Sequence, residues 1–483
     1  AKACDAAFKA NPKGDGMILL KHGIFTWSED ARESYEDMIA KIDKAEKRIA
    51  QGRAKPFTSV SLPSGLATAA DIAPILRGAI AIDTGVEGQP KRFVFEHRTS
   101  DSILDFCNAE NVESLVTRGN ATPEPVIHIK RFGVALPAPV AGELDAWAEA
   151  ARAAVADYQA EYQAYFERNN ARVGGIKTML DPMPRVFYVA GIGLFAAGAG
   201  HKKALVAADV AEATIDVITN AEGIDAFEAL SEADLFDIEY WSHEQAKLTN
   251  VQVKPLTRQV AILTGGASGL GLAVAEALKA EGAEVALFDI SEEALSREAK
   301  RIGAFPVTCD VTDPASVDAA VARVASRFGG VDILISNAGA AFQGKLLDVD
   351  EATFRKAFDL NFWGHHYMAR AAVRVMERQG TGGSIVFNVS KQAVNPGSDF
   401  GPYGTSKAVN ADRIRTGLMT DVMVESRAKA RGVTPEVYMR GNLVGREVTG
   451  ADVAAAFVHL AKARTSTGAV VTVDGGNVAA MMR

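Results

Sequence analysis

The sequence has few cysteines, and their spacing is not that of a disulfide framework or a metal site. Cys4, Cys107 and Cys309 are scattered along the chain without a CxxC pair. This spacing argues against a disulfide framework and against a zinc site made of thiolates. Scattered, unpaired cysteines are typical of a reducing compartment, so we predict a cytoplasmic location.

Long apolar runs and blocks of positive charge are also absent. No stretch approaches the ~20 apolar residues of a membrane-spanning helix, and no signal-peptide pattern occurs at the start. The net charge is −8 at pH 7, from 52 Lys and Arg against 60 Asp and Glu. Because no basic run is available to bind a phosphate backbone, we expect neither nucleic acid nor a membrane as a partner.

The overall amino-acid composition is that of an ordinary globular protein. Of the 483 residues, 48% are hydrophobic and 23% are charged. These values exclude a disordered, collagenous or coiled-coil chain. At a prior of ~150 residues per domain, the length predicts about three domains. We place them at residues 1–55, 56–249 and 250–483.

The last of these regions alternates short β-branched runs with amphipathic helical stretches. Apolar strands separated by helices are typical of a parallel sheet that is buried on both faces. We therefore predict an α/β fold with a Rossmann-type, doubly wound parallel sheet in this region. The predicted strands are Gln259–Leu263, Glu284–Phe288, Val331–Ile335, Gly383–Asn388 and Val470–Val473.

The first 249 residues contain one pattern twice. Met17–Phe25 and Arg185–Gly193 each read as a strand and a Gly-Ile turn, and a long helix follows each, at Asp30–Ile49 in the first copy. We interpret them as a duplicated unit in which Ala190 stands in the place of His22. Chance similarity between two strand–turn–helix units is the alternative.

A third helix and a linker complete the prediction for this half of the chain. Leu144–Asn169 is predicted to be helical, and Lys55–Gly65 is predicted to be a linker because it lacks periodicity. Apolar residues recur along the helix at helical spacing, and we interpret them as core packing. They are Trp147, Ala151, Val155, Tyr158, Tyr162 and Phe166.

A glycine-rich loop follows the first predicted strand of the last region and opens a helix. In Thr264–Gly271 the glycines permit a tight turn and a close approach of backbone to a pyrophosphate at the helix N-terminus. Asp289 ends the next strand, where a carboxylate accepts from ribose hydroxyls and repels a 2′-phosphate, so NAD is favoured over NADP. The predicted cofactor-binding residues are Gly265, Ser268, Gly269, Leu270, Gly271, Asp289, Asp310, Val311, Asn337, Ala338 and Gly339.

Four polar residues further along the chain form a candidate catalytic set. Tyr403 and Lys407 are four residues apart and share a helix face. A phenol is a base near neutral pH only if cations stabilise the phenolate, and Lys407 supplies one. Ser390 ends a strand and can hold the reacting oxygen, and Asn361 can hold a water that links Lys407 to solvent. This set predicts hydride transfer between a carbinol carbon and a nicotinamide, with Tyr403 as the general base or acid.

The order of these motifs is similar to that of the short-chain dehydrogenase/reductase family. The glycine-rich loop, Asp289, Asn-Ala-Gly, Asn361, Ser390 and the Tyr-x-x-x-Lys pair follow one another within residues 257–483. The resemblance implies an NAD-dependent oxidoreductase that acts on a small molecule. It also implies a homo-oligomer, because members of the family are commonly dimers or tetramers.

The sequence departs from that family directly after the Tyr-x-x-x-Lys pair. In the family a helix and a sixth parallel strand come next, whereas here Val409–Gly417, which is similar to the turn beyond that strand, follows at once. About 25 residues are absent, although a strand–helix–strand unit needs about 30. We therefore expect that residues 408 and 409 are not covalent neighbours.

Residues 413–440 would then form a lid over the substrate. Arg413, Arg415 and Tyr438 are candidates for contact with an oxygenated or anionic substrate. The alternative is that they are ordinary solvated side chains.

His22 is the candidate metal ligand of the first half. Lys21–Trp27, followed by an amphipathic helix, resembles the third zinc-ligand segment of the class II aldolase/adducin family. The resemblance implies zinc acting as a Lewis acid on an enediolate. In that family a His-x-His pair lies upstream, where this sequence has no residues, so we expect the chain to be truncated at its start. A structural role for a lone histidine is the alternative.

Over essentially the whole chain, the order of segments resembles the bifunctional rhamnulose-1-phosphate aldolase/lactaldehyde (alcohol) dehydrogenase fusion family. The aldolase-like unit, Thr122–Ile127, Leu235–Trp241 and the dehydrogenase follow in that order. The resemblance implies a role in rhamnose catabolism. A deoxyketose 1-phosphate would be cleaved by a retro-aldol reaction, and the L-lactaldehyde released would undergo NAD-dependent conversion.

Two other functions stay open. The chain is either a dehydrogenase with an inactive aldolase-like module for oligomerisation or interaction, or a non-enzymatic NAD-sensing regulator. The complete Asn–Ser–Tyr–Lys set argues against the regulator. No role is assigned to the other histidines, and the His365-His366 pair is interpreted as packing or surface; the others are His97, His128, His201, His243 and His459.

Overall fold

The computed structural model describes most of the chain. The described residues are 2–52, 55–86, 89–249, 253–345, 347–390, 392, 399–407, 424–425, 428–429, 432–440, 448–463 and 471. The expected break between residues 408 and 409, together with Arg413 and Arg415, lies outside them, as does the predicted last strand apart from Val471. No helix within the described ranges is long and apolar enough to cross a bilayer.

One compact unit is formed by residues Ala1–Ala67, His97–Ala197 and Leu205–Val251. It begins with helix α1 (Lys2–Ala10), an antiparallel hairpin of β1 (Gly16–Leu19) and β2 (Gly23–Thr26), and helix α2 (Ala31–Ile49). Helix α2 begins where the Asp30 side chain accepts the N–H groups of Arg32 and Glu33, as an N-cap does. The predicted helix is confirmed, but the residues expected to form a turn after His22 form a second strand.

A four-stranded sheet follows, with the strand order β3-β6-β5-β4. Strand β5 is parallel to β4 and antiparallel to β6. The strands are β3 (Val94–Arg98), β4 (Val134–Leu136), β5 (Val186–Val189) and β6 (Gly193–Gly198). The helices of this region are α4 (Asp101–Cys107), α5 (Val112–Thr117), α6 (Val126–Ile129), α7 (Leu144–Arg172), α8 (His201–Ile224), α9 (Glu232–Glu239) and α10 (Ser242–Thr249), with a 3₁₀ turn at Ala141–Glu143.

Apolar spacing correctly predicted helix α7 and the face that it buries. All six residues of the predicted stripe are buried, from Trp147 to Phe166. A separate core forms where β5 and β6 pack with α8, through residues such as Val186, Leu194 and Ala211. Burial of these side chains at about 25 cal/mol per Å² is the main favourable term for the unit.

The repeated sequence pattern corresponds to a repeated hairpin followed by a helix. Strand β1 pairs with β2, and β5 pairs with β6, across connections of equal length. In the first hairpin Lys21 has φ 58°, and in the second Gly191 has φ 74°. These two left-handed positions correspond, so the structure aligns His22 with Ile192. The predicted alignment of His22 with Ala190 is wrong by two residues.

Helices α7 and α9 of this unit enclose a buried polar cluster. Glu239 is 1% exposed and accepts hydrogen bonds from Tyr162 (2.7 Å), Tyr165 (3.0 Å) and the Lys130 ammonium (3.2 Å). Burial, followed by the charge of Glu239, raises the pKa of both tyrosines, so they remain donors. The Lys130 ammonium also donates to Tyr162 at 2.8 Å. The carboxylate is therefore buried together with its partners, as a buried charge requires.

The second compact unit is formed by residues Thr68–Glu96, Gly198–Ala204 and Gln252–Arg483. Within the described residues its sheet has five parallel strands in the order β11-β10-β7-β8-β9. These are β7 (Val260–Thr264), β8 (Glu284–Asp289), β9 (Phe305–Thr308), β10 (Ile333–Ser336) and β11 (Ser384–Phe387). The predicted α/β fold with a parallel sheet is confirmed.

Helices cover both faces of this sheet. Helices α11 and α18 contribute to the core on one face, and α13 and α15 contribute to the core on the other. The helices are α11 (Gly269–Ala280), α12 (Glu292–Ile302), α13 (Pro314–Phe328), α14 (Glu351–Phe358), a π-helical turn (Asp359–Trp363), α15 (Gly364–Gln379), α16 (Gly401–Ser406), α17 (Pro435–Met439) and α18 (Gly450–Lys462).

The segment Thr68–Glu96 packs in this second unit, which the sequence did not indicate. Helix α3 (Ala69–Ala79) begins with a capping box between Thr68 and Asp71. From this helix Arg77, 1% exposed, donates to both carboxylate oxygens of Asp332 at 3.0 and 2.6 Å. Asp332 also accepts the N–H of Val260, at the start of β7, at 2.8 Å. The carboxylate therefore joins this segment to the sheet.

Candidate active site

The glycine-rich loop lies between β7 and α11 and has the backbone that its glycines allow. Gly265 and Gly269 have φ of 62° and 53°, in the left-handed region. Helix α11 begins at Gly269, and a Cβ at Gly271 would overlap the Gly265 carbonyl oxygen. Ser268 is the N-cap and Leu270 is half-buried. The loop thus brings backbone to the N-terminus of a helix, where N–H groups can receive a pyrophosphate.

Carboxylates end the next two strands. Asp289 at the end of β8 accepts the N–H of Ala267 (3.1 Å) and of Ser291 (3.0 Å). After β9, Asp310 accepts from both the backbone and the hydroxyl of Thr312, and Val311 beside it is buried. Because the sheet is parallel, both carboxylates lie at the strand ends that also carry the glycine-rich loop.

Asn337, Ala338 and Gly339 follow β10 and are bonded to the same loop. The Thr264 hydroxyl accepts the N–H groups of Asn337 and Ala338, each at 2.9 Å. The Asn337 amide donates to the Thr264 carbonyl at 3.0 Å. A Cβ added at Gly339 would lie 2.8 Å from Asn361 Oδ1 and 2.9 Å from Lys407 Nζ. Gly339, one of the predicted cofactor-binding residues, therefore lies directly against two predicted catalytic residues, and these contacts leave no room for a side chain at its position.

Tyr403 lies on helix α16 and is partly buried. Burial raises the pKa of its phenol, and a hydrogen bond with Ser390 opposes that rise. The structure thus brings together Ser390 and Tyr403, two residues of the candidate catalytic set. A neighbouring positive charge is needed to lower the phenol pKa into the range of a general base.

Lys407 is buried at the end of the same segment. Its side chain is 4% exposed, and burial lowers the pKa of the ammonium to about 7. Its Nζ donates to the carbonyl oxygen of Asn388 at 3.0 Å, and it lies 2.9 Å from Nε2 of His365. The Asn388 amide in turn donates to Asn337 Oδ1 at 2.8 Å. A chain of contacts therefore connects the ammonium to the cofactor-loop residues.

Asn361 lies in the π-helical turn Asp359–Trp363, which aims its side chain at the neighbouring backbone. Its Oδ1 accepts the N–H of Ala340 at 3.1 Å, and its amide donates to the Ala340 carbonyl (3.0 Å) and to Ser406 Oγ (3.1 Å). A π-helical turn inside an α-helix is typical of functional sites. The predicted role of Asn361 in holding a water stays a prediction.

Sequence reasoning missed His365. It follows Asn361 by four residues, so the two can share a helix face, and this spacing is the signal that could have found it. It is 9% exposed, its Nε2 faces Lys407, and its Nδ1 is 2.6 Å from Ser336 Oγ. Its neighbour His366 is exposed, as predicted for a surface position.

His22 belongs to the first compact unit, and Tyr438 belongs to the second. His22 lies exposed in the β1–β2 turn. Within the part of the chain that the structure describes, no group of three or more His, Cys, Asp or Glu could hold a metal ion. The residues described around His22 therefore do not fit a zinc site. Tyr438 is buried in a small cluster with Val424, Ala428 and Met439.

Two family models match the two parts of the chain, and one relative matches nearly all of it. Residues 67–248 match the family model for the second domain of class II aldolase, and residues 259–420 match the model for short chain dehydrogenase. The uncharacterized oxidoreductase YuxG of Bacillus subtilis is 29% identical over 523 residues, which cover 98% of this chain and 74% of that protein.

Other relatives match the second part alone, and two dehydrogenases are examples. Galactitol 2-dehydrogenase of Agrobacterium fabrum is 32% identical over 252 residues, covering 46% of this chain and 98% of that protein. D-threitol dehydrogenase of Mycolicibacterium smegmatis is 33% identical over 244 residues, covering 46% of this chain and 93% of that protein.

Proposed function

Because the chain belongs to the short-chain dehydrogenase family and carries a class II aldolase domain ahead of the dehydrogenase, we propose that it oxidises or reduces a short hydroxylated substrate with NAD. The observation that carries this proposal is the close approach of Asn361 and Lys407 to Gly339, one of the predicted cofactor-binding residues. The fold implies NAD or NADP, and the bound nicotinamide supplies the hydride acceptor or donor.

The chain's own residues account for the proton. In alcohol oxidation Tyr403 takes the proton of the substrate hydroxyl, and Ser390 holds the reacting oxygen. The Lys407 ammonium supplies the positive charge that makes the phenolate accessible near neutral pH. In aldehyde or ketone reduction the same tyrosine donates the proton.

The charge at the end of β8 supports NAD over NADP. The Asp289 carboxylate is anchored at the loop by Ala267 and Ser291. It is suited to accept from ribose hydroxyls, and it would repel a 2′-phosphate at the same place.

The identity of the substrate is proposed from the fusion and from the relatives. Two relatives are named for the oxidation of galactitol and D-threitol, which carry several hydroxyl groups. A retro-aldol cleavage of a deoxyketose 1-phosphate, such as rhamnulose 1-phosphate, releases a short hydroxyaldehyde such as L-lactaldehyde. A dehydrogenase on the same chain would convert that product.

A second candidate is a dehydrogenase whose aldolase-like region serves only oligomerisation or interaction. It is favoured by the exposed position of His22 in the β1–β2 turn. Because the residues described around His22 do not fit a zinc site, we derive no aldolase step through the metal. A homo-oligomer and a cytoplasmic location stay predictions; the latter is supported by the free state of all three cysteines.

The test is an NAD-coupled assay on L-lactaldehyde, D-threitol and galactitol, combined with metal analysis and a retro-aldol assay on rhamnulose 1-phosphate. Turnover of lactaldehyde with NAD, together with release of dihydroxyacetone phosphate, supports the bifunctional enzyme. Turnover of an alcohol or aldehyde without cleavage of the sugar phosphate supports the second candidate. Failure of every substrate with NAD and NADP, and of the aldehyde with NADH and NADPH, contradicts the dehydrogenase.

A further inference from the structure

His365 occupies an unusual position, because both of its ring nitrogens are engaged inside the dehydrogenase unit. Its Nε2 lies 2.9 Å from Lys407 Nζ, and its Nδ1 lies 2.6 Å from Ser336 Oγ. The Phe387 ring packs edge-on against the imidazole at 5.7 Å between centroids. The side chain thus joins α15 to the end of β10 and to the candidate catalytic lysine.

The protonation of the ring follows from its partners. An ammonium has donors only, so when Lys407 is charged Nε2 must accept, and the ring proton must be on Nδ1, where it is donated to Ser336. Within the described residues the charged group that faces the ring is Lys407. Burial, followed by that positive charge, lowers the pKa of His365 to about 3, so the imidazole is neutral near pH 7.

The contacts also orient the ammonium. Of its three N–H groups, one is directed at His365 Nε2 and one at the Asn388 carbonyl (3.0 Å). With two of the tetrahedral directions fixed, the third is fixed as well. The same Nζ packs against Gly339, where an added Cβ would lie only 2.9 Å from it.

We propose that His365 is a positioning residue for the dehydrogenase reaction, which holds the Lys407 ammonium in place and keeps it charged by accepting a hydrogen bond from one of its N–H groups. The proposal rests on the proposed function as a dehydrogenase. A buried ammonium that loses one of two acceptors is less stable, so it deprotonates more readily and supports the Tyr403 phenolate less well.

The chain permits a matched pair of substitutions. The amide oxygen of glutamine can reach the place of Nε2, whereas asparagine reaches only the place of Nδ1. For His365→Asn we expect kcat for alcohol oxidation to fall about tenfold near pH 7, and the acidic limb of the pH profile to move up by about one unit. His365→Gln should keep kcat within about threefold of the wild-type value and leave the acidic limb close to its wild-type pH.

The control is His366→Asn, which makes the same chemical change at the exposed neighbour and should leave the profile unmoved. The affinity for NADH, measured by its fluorescence, should be unchanged in every variant, which separates positioning from misfolding. The titration of the Lys407 amine, followed by NMR on ¹⁵N-lysine-labelled protein, should move to lower pH in His365→Asn and not in His365→Gln.

A wild-type pH profile and lysine titration in His365→Asn would overturn the proposal. Equal losses in the asparagine and glutamine variants would also overturn it, because they would indicate a packing role alone. If the wild type neither oxidises an alcohol nor reduces an aldehyde or ketone, the proposed function fails, and the lysine titration still decides whether His365 holds the ammonium.

Discussion

The carboxylate of Asp289 accepts the backbone N–H of Ala267 at 3.1 Å, so the end of β8 is bonded directly to the glycine-rich loop. We expect the wild type to prefer NAD to NADP by at least about tenfold in kcat/KM, because the anchored carboxylate repels a 2′-phosphate. Asp289→Ser should reduce or invert the ratio of kcat/KM with NAD to kcat/KM with NADP. Asp313→Asn removes the same charge at a helix N-cap and should leave the ratio unchanged. An unaltered preference in Asp289→Ser would refute this role.

Tyr403→Phe should abolish turnover with NAD while NADH binding is retained. The substitution removes the hydroxyl that transfers the proton and keeps the ring that packs at 6.1 Å from Phe400. We expect a loss of at least about a hundredfold in kcat, measured by NADH absorbance, with the dissociation constant of NADH within about twofold. Tyr367→Phe on α15 is the control. Residual activity near the wild-type level would remove Tyr403 from the mechanism.

The buried Lys407 should make the stability of the unliganded protein depend on pH. Its folded-state pKa is about 7, below the ordinary value of 10.5. Between these pH values the unfolded chain binds more protons at this residue than the folded chain does. Lys407 therefore raises the free energy of unfolding as pH rises, by at most about 1.4 kcal/mol per pH unit. The stability difference between wild type and Lys407→Met should therefore grow in favour of the wild type from pH 7 to 10. A difference independent of pH in denaturant titrations would contradict the buried position.

Asp332→Ala should strongly destabilise the dehydrogenase unit. It would leave Arg77, which is 1% exposed, without the carboxylate to which it donates twice. Removing one partner of a buried pair costs about 3–5 kcal/mol in the free energy of unfolding. Asp318→Ala, at a half-exposed aspartate 3.9 Å from Arg374, should cost less than about 1 kcal/mol. If urea titrations gave equal losses in the free energy of unfolding for the two variants, the buried pair would contribute no more to stability than the exposed one.

Two tyrosines on α7 offer a matched comparison in the other unit. Tyr165→Phe removes a donor to the buried Glu239 carboxylate, and should cost about 1.5–3 kcal/mol. Tyr158 is 4% exposed, and its hydroxyl has no hydrogen-bond partner among the described residues. Tyr158→Phe should therefore be neutral or stabilising. The opposite order of the two thermal midpoints would contradict the described cluster.

Local patterns predicted those features of the protein that depend on neighbours in the chain. Apolar spacing located α7 and its buried face, and the glycine-rich loop was identified because a tight turn at a helix start requires particular residues in sequence. His365 was missed because a histidine one turn beyond Asn361 has no local property that distinguishes packing from contact with a lysine. The contact with Lys407 depends on how α15 and the segment after β11 meet.

Contacts between residues far apart in the chain leave no comparable pattern in the sequence. Arg77 and Asp332 are 255 residues apart, and each would pass for an ordinary surface charge in its own segment. The register of the repeated hairpins was misjudged because sequence similarity aligned His22 with Ala190, whereas the left-handed positions at Lys21 and Gly191 fix the alignment two residues away.

The placement of Thr68–Glu96 has a consequence for how the protein is made and how it can be divided. The ribosome synthesises this segment long before it reaches Asp332. During translation the segment therefore lacks the sheet to which it is bonded in the folded protein. A gene cut near the codon for residue 250 would encode a dehydrogenase without Arg77, the partner of Asp332. Expression of the two halves as separate polypeptides should succeed only when both are synthesised together.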